Sequence, residues 1–240
     1  MVGIILAAGN GNRMADSFGF NQCKALLKVN GKYIIEYSLD NLYDMEVKRI
    51  IIVVGKYLDI IKIAIGEHYK GIPVSYVIQD NAVGLINAFI CGAEKVKDED
   101  VALQLCDEVF FNSYAKEVKE YFKSNSFDFI CGVTKDSKDS IKENYCVNTD
   151  SEGRILSFIE KPKRIKNDLK GTGFCLFKYD TINYLKNVYS PEDNYPFDLT
   201  DYLNELLDNG FCADIKEVAE KEFNVNTVDD LENAEKYIKD

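Results

Sequence analysis

Apolar residues recur along this chain in two rhythms. Unbroken runs occur at VGIILA (2–7), RIIIVVG (49–55), VSYVI (74–78), VALQL (101–105) and FDFICGV (127–133). Runs of that length, without polar alternation, predict strands covered on both faces, as in a parallel sheet. Between them, YIIEYSLDNLYD (33–44), LDIIKIAIGEHY (58–69), GLINAFICGAEKV (84–96) and YAKEVKEYFK (114–123) repeat apolar residues every three and four positions. That spacing predicts amphipathic helices, with the polar GEHYKG stretch read as a helix end and loop. Strands alternating with helices predict an α/β fold: a Rossmann-like, mostly parallel sheet with helices on both faces.

The pattern changes past the midpoint. ENYCVNTD, GRILSFIEK and GTGFCLFK read as strands without helices between them, so a smaller antiparallel portion is expected there. Helices are expected again at 180–188 and 198–209, then a short strand near 212–217 and a terminal helix over DDLENAEKYI. No repeat, low-complexity segment or long linker interrupts the chain, which predicts one domain over residues 1–240.

Composition narrows the chemistry. Among 240 residues there is one histidine, His68, in the polar GEHYKG stretch. A histidine-rich metal site is therefore excluded, and a Ser-His-Asp triad would have to recruit that one residue. The seven cysteines are scattered and contain no CxxC pair, against both a zinc ribbon and a disulfide framework. A net charge of -11 argues against a nucleic-acid partner. It does not argue against a phosphorylated small molecule, which needs only a few local cations and N–H groups. No apolar run is long enough to span a bilayer, and no basic leader precedes an apolar stretch, so a cytoplasmic protein without membrane contact is expected.

The first strand runs into AAGNGNRM. Ligands of open α/β sheets bind beyond the carboxyl ends of strands, and Gly9 and Gly11 permit close backbone approach there. A dinucleotide fingerprint needs a third glycine where Met14 stands, and the P-loop lysine is absent. Arg13 and Lys24 instead supply two cations at that strand end, which suits a triphosphate and its leaving pyrophosphate. The competing reading is a solvated loop with incidental charges. Gln79 and Gly84, after the 74–78 strand, suit a base edge and a base lying against backbone, or else a plain strand end and helix start. Asp107, just past VALQL, is placed for an oxygen-ligated divalent ion, or for an ordinary turn. Glu160 and Lys161 in FIEKPK suit sugar hydroxyls and a sugar phosphate, or a surface ion pair.

Together LAAGNGNRM, CKALLKVNGKYIIEY, QDNAVGLINAF, LCDEVF, FIEKPK, GTGFCLF and FNVNTVDDLENAEKYI resemble, in order, the sugar-1-phosphate nucleotidyltransferases, which include the glucose-1-phosphate thymidylyl- and uridylyltransferases. The resemblance implies condensation of a nucleoside triphosphate, dTTP or UTP, with a sugar 1-phosphate, releasing pyrophosphate with Mg²⁺ as cofactor. It implies Arg13, Lys24, Asp107 and Lys161 as catalytic residues, and Leu6, Ala7, Ala8, Gly9, Gly11, Asn12, Arg13, Gln79 and Gly84 as nucleotide contacts. Tyr145, Cys146, Glu160, Lys161, Thr172 and Gly173 are implied at the sugar phosphate, and Asp107 and Asn226 at the metal. Residues 1–135 would then serve mainly the nucleotide, 136–225 the sugar phosphate, and 226–240 a closing helix in which Thr227 and Asp230 form the cap. Asn12, Cys23, Cys106 and Asn226 depart from the family's usual Thr, Pro, Gly and Asp. A cytidylyltransferase for another phosphorylated or phosphonate acceptor, and a nucleotide sensor without catalysis, are the alternatives; a homo-oligomer is compatible with either.

Overall fold

The computed structural model describes residues 1–9, 23–80, 84–190 and 198–239. Its elements in chain order are β1 (Val2–Ala7), β2 (Lys28–Val29), β3 (Lys32–Tyr33), α1 (Ile34–Asp44), β4 (Ile50–Val54), α2 (Leu58–Ile65), β5 (His68–Tyr69), β6 (Ile72–Ile78) and α3 (Leu85–Ala93). Then come β7 (Val101–Leu105), β8 (Glu108–Ser113), α4 (Ala115–Ser124), β9 (Phe129–Lys135), α5 (Lys138–Glu143), β10 (Tyr145–Thr149), β11 (Ile155–Glu160) and β12 (Leu169–Phe177). The chain closes with α6 (Tyr179–Val188), α7 (Leu199–Asp208), β13 (Ala213–Glu217), β14 (Ala219–Asn224) and α8 (Val228–Lys239).

One sheet organises the molecule, in the order β11-β10-β12-β7-β1-β4-β6-β5, with β9 and β13 attached beside β12. Its centre is parallel: β1 lies between β4 and β7 with Leu6 opposite Val53 and Leu105, and β4 pairs with β6. Antiparallel pairing begins at β12 and continues through β10 and β11. This is the expected division into a parallel half and an antiparallel half.

The apolar runs form strands because both faces are covered. Along β1, Val2, Ile4 and Leu6 pack with α3, α6 and α7 on one side, while Ile5 and Ala7 pack with α1, α2 and α4 on the other. Period-two alternation thus survives within an all-apolar segment, each parity serving its own core. The cover is close. A Cβ on Gly92 of α3 would lie 2.9 Å from Ile4 and 3.0 Å from Val53.

Three elements depart from the sequence reading. The helix expected over 58–69 ends at Ile65, where Gly66 takes φ +81, and His68 and Tyr69 form a short strand against β6. That left-handed residue costs a glycine nothing and stops a helix. The polar KDSIKE segment forms α5, capped by Ser137, whose Oγ accepts from the Ser140 N–H. Residues 108–113 form β8, which pairs antiparallel with β14.

Candidate active site

β1 and β7 end side by side. The Cys106 N–H donates to the Leu6 carbonyl at 3.2 Å. Ala8 and Gly9 therefore leave the sheet on the side of Asp107. Leu6, Ala7 and Ala8 are buried, whereas Gly9 is exposed and a Cβ there would meet nothing within 4 Å. Packing within the protein does not require that glycine, which leaves its backbone open to a ligand. Gly11, Asn12 and Arg13 lie outside the described residues.

Asp107 occupies the two-residue turn between β7 and β8, and Asn226 follows the end of β14. Because Glu108 of β8 pairs with Asn224 of β14, the two positions meet. The Val225 N–H donates to the Asp107 carbonyl at 2.8 Å and fixes the approach. Into this junction reaches Lys24, from a single 3-10 turn over Lys24–Leu26. Its ammonium donates to Asp107 Oδ2 at 2.6 Å and to Asn226 Oδ1 at 2.8 Å. Glycine strand end, lysine, aspartate and asparagine thus converge, although 202 positions separate Lys24 from Asn226.

Asn226 is oriented from behind. Its Nδ2 donates to Asn224 Oδ1 at 2.8 Å, so its oxygen faces Lys24. Its N–H donates to Asp230 Oδ2 at 2.9 Å, and Asp230 also accepts from the Thr227 N–H at 2.8 Å. Asp230 and Thr227 form the helix cap expected of them. Asn224 Nδ2 in turn donates to Asn144 Oδ1 at 3.1 Å, and the Asn144 carbonyl accepts from the Lys161 N–H at 2.7 Å. A relay of amides therefore joins the Asp107–Asn226 junction to the Glu160-Lys161 segment. Glu160 and Lys161 are exposed at the end of β11, with Lys161 at φ +42. Asn144 and Asn224 were not singled out in the sequence, and amides in polar stretches give no signal there.

The other residues expected at the sugar phosphate lie on β10 and β12. Thr172 is buried, its Oγ1 donating to the Gly132 carbonyl at 3.1 Å and accepting from the Phe174 N–H at 3.2 Å. The Tyr145 ring lies inside the core, over Gly171, where a Cβ would come within 1.8 Å of it. Its hydroxyl donates to the Thr172 carbonyl at 2.7 Å. The ring supports the start of the irregular stretch between Gly171 and Cys175, and Cys146 beside it is also buried. Gly173 is needed because Leu105 fills the Cβ position, 2.2 Å away. Gln79, expected at the base, is buried, and its Nε2 donates to the Gly84 carbonyl at 3.2 Å and to Asn87 Oδ1 at 2.8 Å. Gly84 takes φ +136, which disfavours any side chain.

Beneath the site lies a buried ionic cluster that sequence reasoning missed. Lys170 pairs with Asp136 at 2.9 Å and with Glu222, and Lys221 reaches Asp136 at 3.2 Å. Glu108 Oε1 accepts from the Gly173 N–H at 2.6 Å. Burial and the neighbouring Glu222 push the Glu108 carboxyl well above the usual range. Burial also works against ionised Asp136, but the Lys170 ammonium outweighs it and brings its pKa to about 2. Burial opposes a charge on Lys170 too, yet Glu222 and Asp136 raise its pKa, so it stays protonated.

The donor set at Asp107 and Asn226 fits magnesium. Both offer hard oxygens, and the structure already brings those oxygens to one cation, the Lys24 ammonium. Magnesium holds several waters and substrate oxygens, so two protein ligands suffice. Among the described residues no three His, Cys, Asp or Glu side chains are grouped to hold a metal ion by themselves.

The profile of the nucleotidyl transferase family matches residues 2–238. The UTP–glucose-1-phosphate uridylyltransferase AglF of Haloferax volcanii is 25% identical over 240 residues, covering 100% of this chain and 97% of the relative. The glucose-1-phosphate thymidylyltransferase of Neisseria meningitidis is 27% identical, over 88% of this chain and 72% of its own. Other curated relatives are longer, and this chain spans 59% of one and 45% of another. A solved UDP-glucose pyrophosphorylase complexed with UDP-glucose superposes with a TM-score of 0.83 at 18% identity, over 99% of this chain and 98% of that one.

Proposed function

Because the chain belongs to the nucleotidyl transferase family, we propose that it joins a nucleoside triphosphate, UTP or dTTP, to a sugar 1-phosphate and releases pyrophosphate. One observation carries this reading: Lys24, Asp107 and Asn226 meet beside the exposed glycine end of β1. The sugar phosphate oxygen attacks the α-phosphorus, a new P–O bond forms, and the bond to pyrophosphate breaks in line. A phosphate monoester already carries the needed negative charge, so no general base is required. That agrees with a chain whose one histidine, His68, is exposed on a short strand of the far sheet edge. Catalysis is then positioning and charge neutralisation.

Asp107 and Asn226 would hold Mg²⁺, which when bound supplies charge neutralisation at the α-phosphate. Lys24 and Arg13 neutralise the departing pyrophosphate. Lys161, turned outward by its left-handed backbone and tied to Asn144, holds the incoming phosphate, and Glu160 accepts from sugar hydroxyls. Gln79 and Gly84 receive the base. In this reading residues 1–135 serve mainly the nucleotide and 136–225 mainly the sugar phosphate. Among the described residues no helix is long and apolar enough to cross a membrane.

The test is pyrophosphate release over a panel of triphosphates and acceptors, with and without Mg²⁺. Metal-dependent release with UTP or dTTP and a hexose 1-phosphate is expected. Release only with CTP and a non-sugar phosphate would replace the acceptor assignment. Nucleotide binding without any release would leave a sensor in place of an enzyme.

A further inference from the structure

Lys24 does more than lie near the proposed metal ligands. Its ammonium sits 2.6 Å from Asp107 Oδ2 and 2.8 Å from Asn226 Oδ1, the two oxygens a divalent ion would need. The pair is sheltered, with the Lys24 and Asp107 side chains 15% and 23% exposed. The chain's own cation therefore stands where the metal would stand.

The Asn226 oxygen is held in place without help from Lys24, and Asp107 is anchored through its backbone. Asn226 is fixed by Asn224 through its side chain and by Asp230 through its N–H. Asp107 is fixed through its carbonyl to Val225. Lys24, by contrast, reaches the junction on a four-carbon stem from a short turn, so it can swing away without moving the backbone of either partner.

Charge decides what can replace it. With Lys24 in place the junction is neutral, since Asp107 brings one negative charge, Lys24 one positive and Asn226 none. A bare divalent ion displacing Lys24 would leave two cations facing one carboxylate. A metal arriving on a triphosphate brings its own negative charge, and the released ammonium then has phosphate oxygens to bind.

Resting on the function proposed above, we propose that Lys24 is an internal placeholder for the divalent ion, so that the site accepts the metal–triphosphate complex and discriminates against the free metal. Lys24 holds Asp107 and Asn226 ready in the empty enzyme and transfers to phosphate when the complex enters. The same logic gives the Asn at position 226 a role: a second carboxylate there would keep net negative charge after pairing with Lys24 and would draw free metal.

The experiment follows free Mn²⁺ by electron paramagnetic resonance with the whole chain and no nucleotide. Wild type is compared with Lys24→Met, Lys24→Gln, Asn226→Asp, and Lys28→Met as an exposed charge-matched control. Both Lys24 variants are expected to bind Mn²⁺ about tenfold tighter than wild type, because an occupied site lowers apparent affinity by its unoccupied fraction, and Asn226→Asp is expected to bind it tighter through its added negative charge. Adding Asp107→Asn to Lys24→Met should abolish the gain. Unchanged or weaker Mn²⁺ binding in both Lys24 variants overturns the proposal. So does an equal gain in Lys28→Met, or a gain that survives loss of Asp107. Retained circular dichroism in either Lys24 variant suffices to make the comparison. Asp107-dependent pyrophosphate release together with unchanged Mn²⁺ affinity would sink the placeholder alone. No Mn²⁺ binding by any variant and no pyrophosphate release would sink both it and the enzymatic reading.

Discussion

Replacing Lys170 with methionine is expected to weaken the fold more than any single change at the rim of the site. The Lys170 side chain is 3% exposed and its partner Glu222 1% exposed, and Asp136 shares the ammonium. Methionine matches the stem but leaves Glu222 buried without a cation and leaves Asp136 with the half-buried Lys221. Breaking a buried pair on one side costs about 3–5 kcal/mol. The sign of the pH dependence follows. In the variant the Glu222 carboxyl is held above its unfolded value, so its penalty grows as pH rises and fades where the group is protonated in both states. In the wild type, Asp136 has a folded pKa of about 2, so its contribution is present above the unfolded carboxylate value and is lost as pH falls through the folded one. Urea unfolding at pH 7 should therefore show the full loss with an unchanged m-value, and at about pH 5 a smaller one. The double variant with Glu222→Met should recover part of the stability, because no buried charge is then left alone. A loss below about 1 kcal/mol at pH 7, the range of an exposed pair, or one that does not vary with pH, would refute the reasoning.

Two further outcomes are expected. Gly171→Ala places a Cβ 1.8 Å from the Tyr145 ring, and the overpacking should cost about 1–3 kcal/mol in chemical denaturation. Unchanged stability would show that the ring can move aside. Asn224→Ala removes the middle of the amide relay; pyrophosphate release should slow while the melting temperature falls by only a few degrees, as for the loss of about 1 kcal/mol. An unaltered rate would mean that Asn226 is oriented without Asn224.

The parallel half of the fold was legible because its strands are apolar on both parities and are spaced by helical repeats. β8 was not, since only the two-residue turn at Cys106 and Asp107 separates it from β7, and its partner β14 lies about a hundred positions later. α5 was hidden because a single apolar residue, Ile141, among six sets no period. At the site, Asp107 could be anticipated because a strand end fixes where the next residues sit. The Lys170 cluster could not. Its partners come from β14 and from the loop after β9, and only the folded chain brings them to one buried point. Tyr145 was read as facing sugar, yet its ring supports the Gly171–Gly173 backbone; sequence position fixed the strand but not which way a large aromatic turns.

The most direct measurement is the rate of pyrophosphate release by Asp107→Asn under saturating Mg²⁺, beside wild type, with circular dichroism to show that the fold is kept. Among the described residues, the Asp107 carboxylate is the ionic tie of Lys24 to the β7 strand end. Its loss should slow release by about 10²-fold or more, the scale for removing one preorganised electrostatic contact. A folded variant that turns over at the wild-type rate would contradict the assignment of this junction as the catalytic centre.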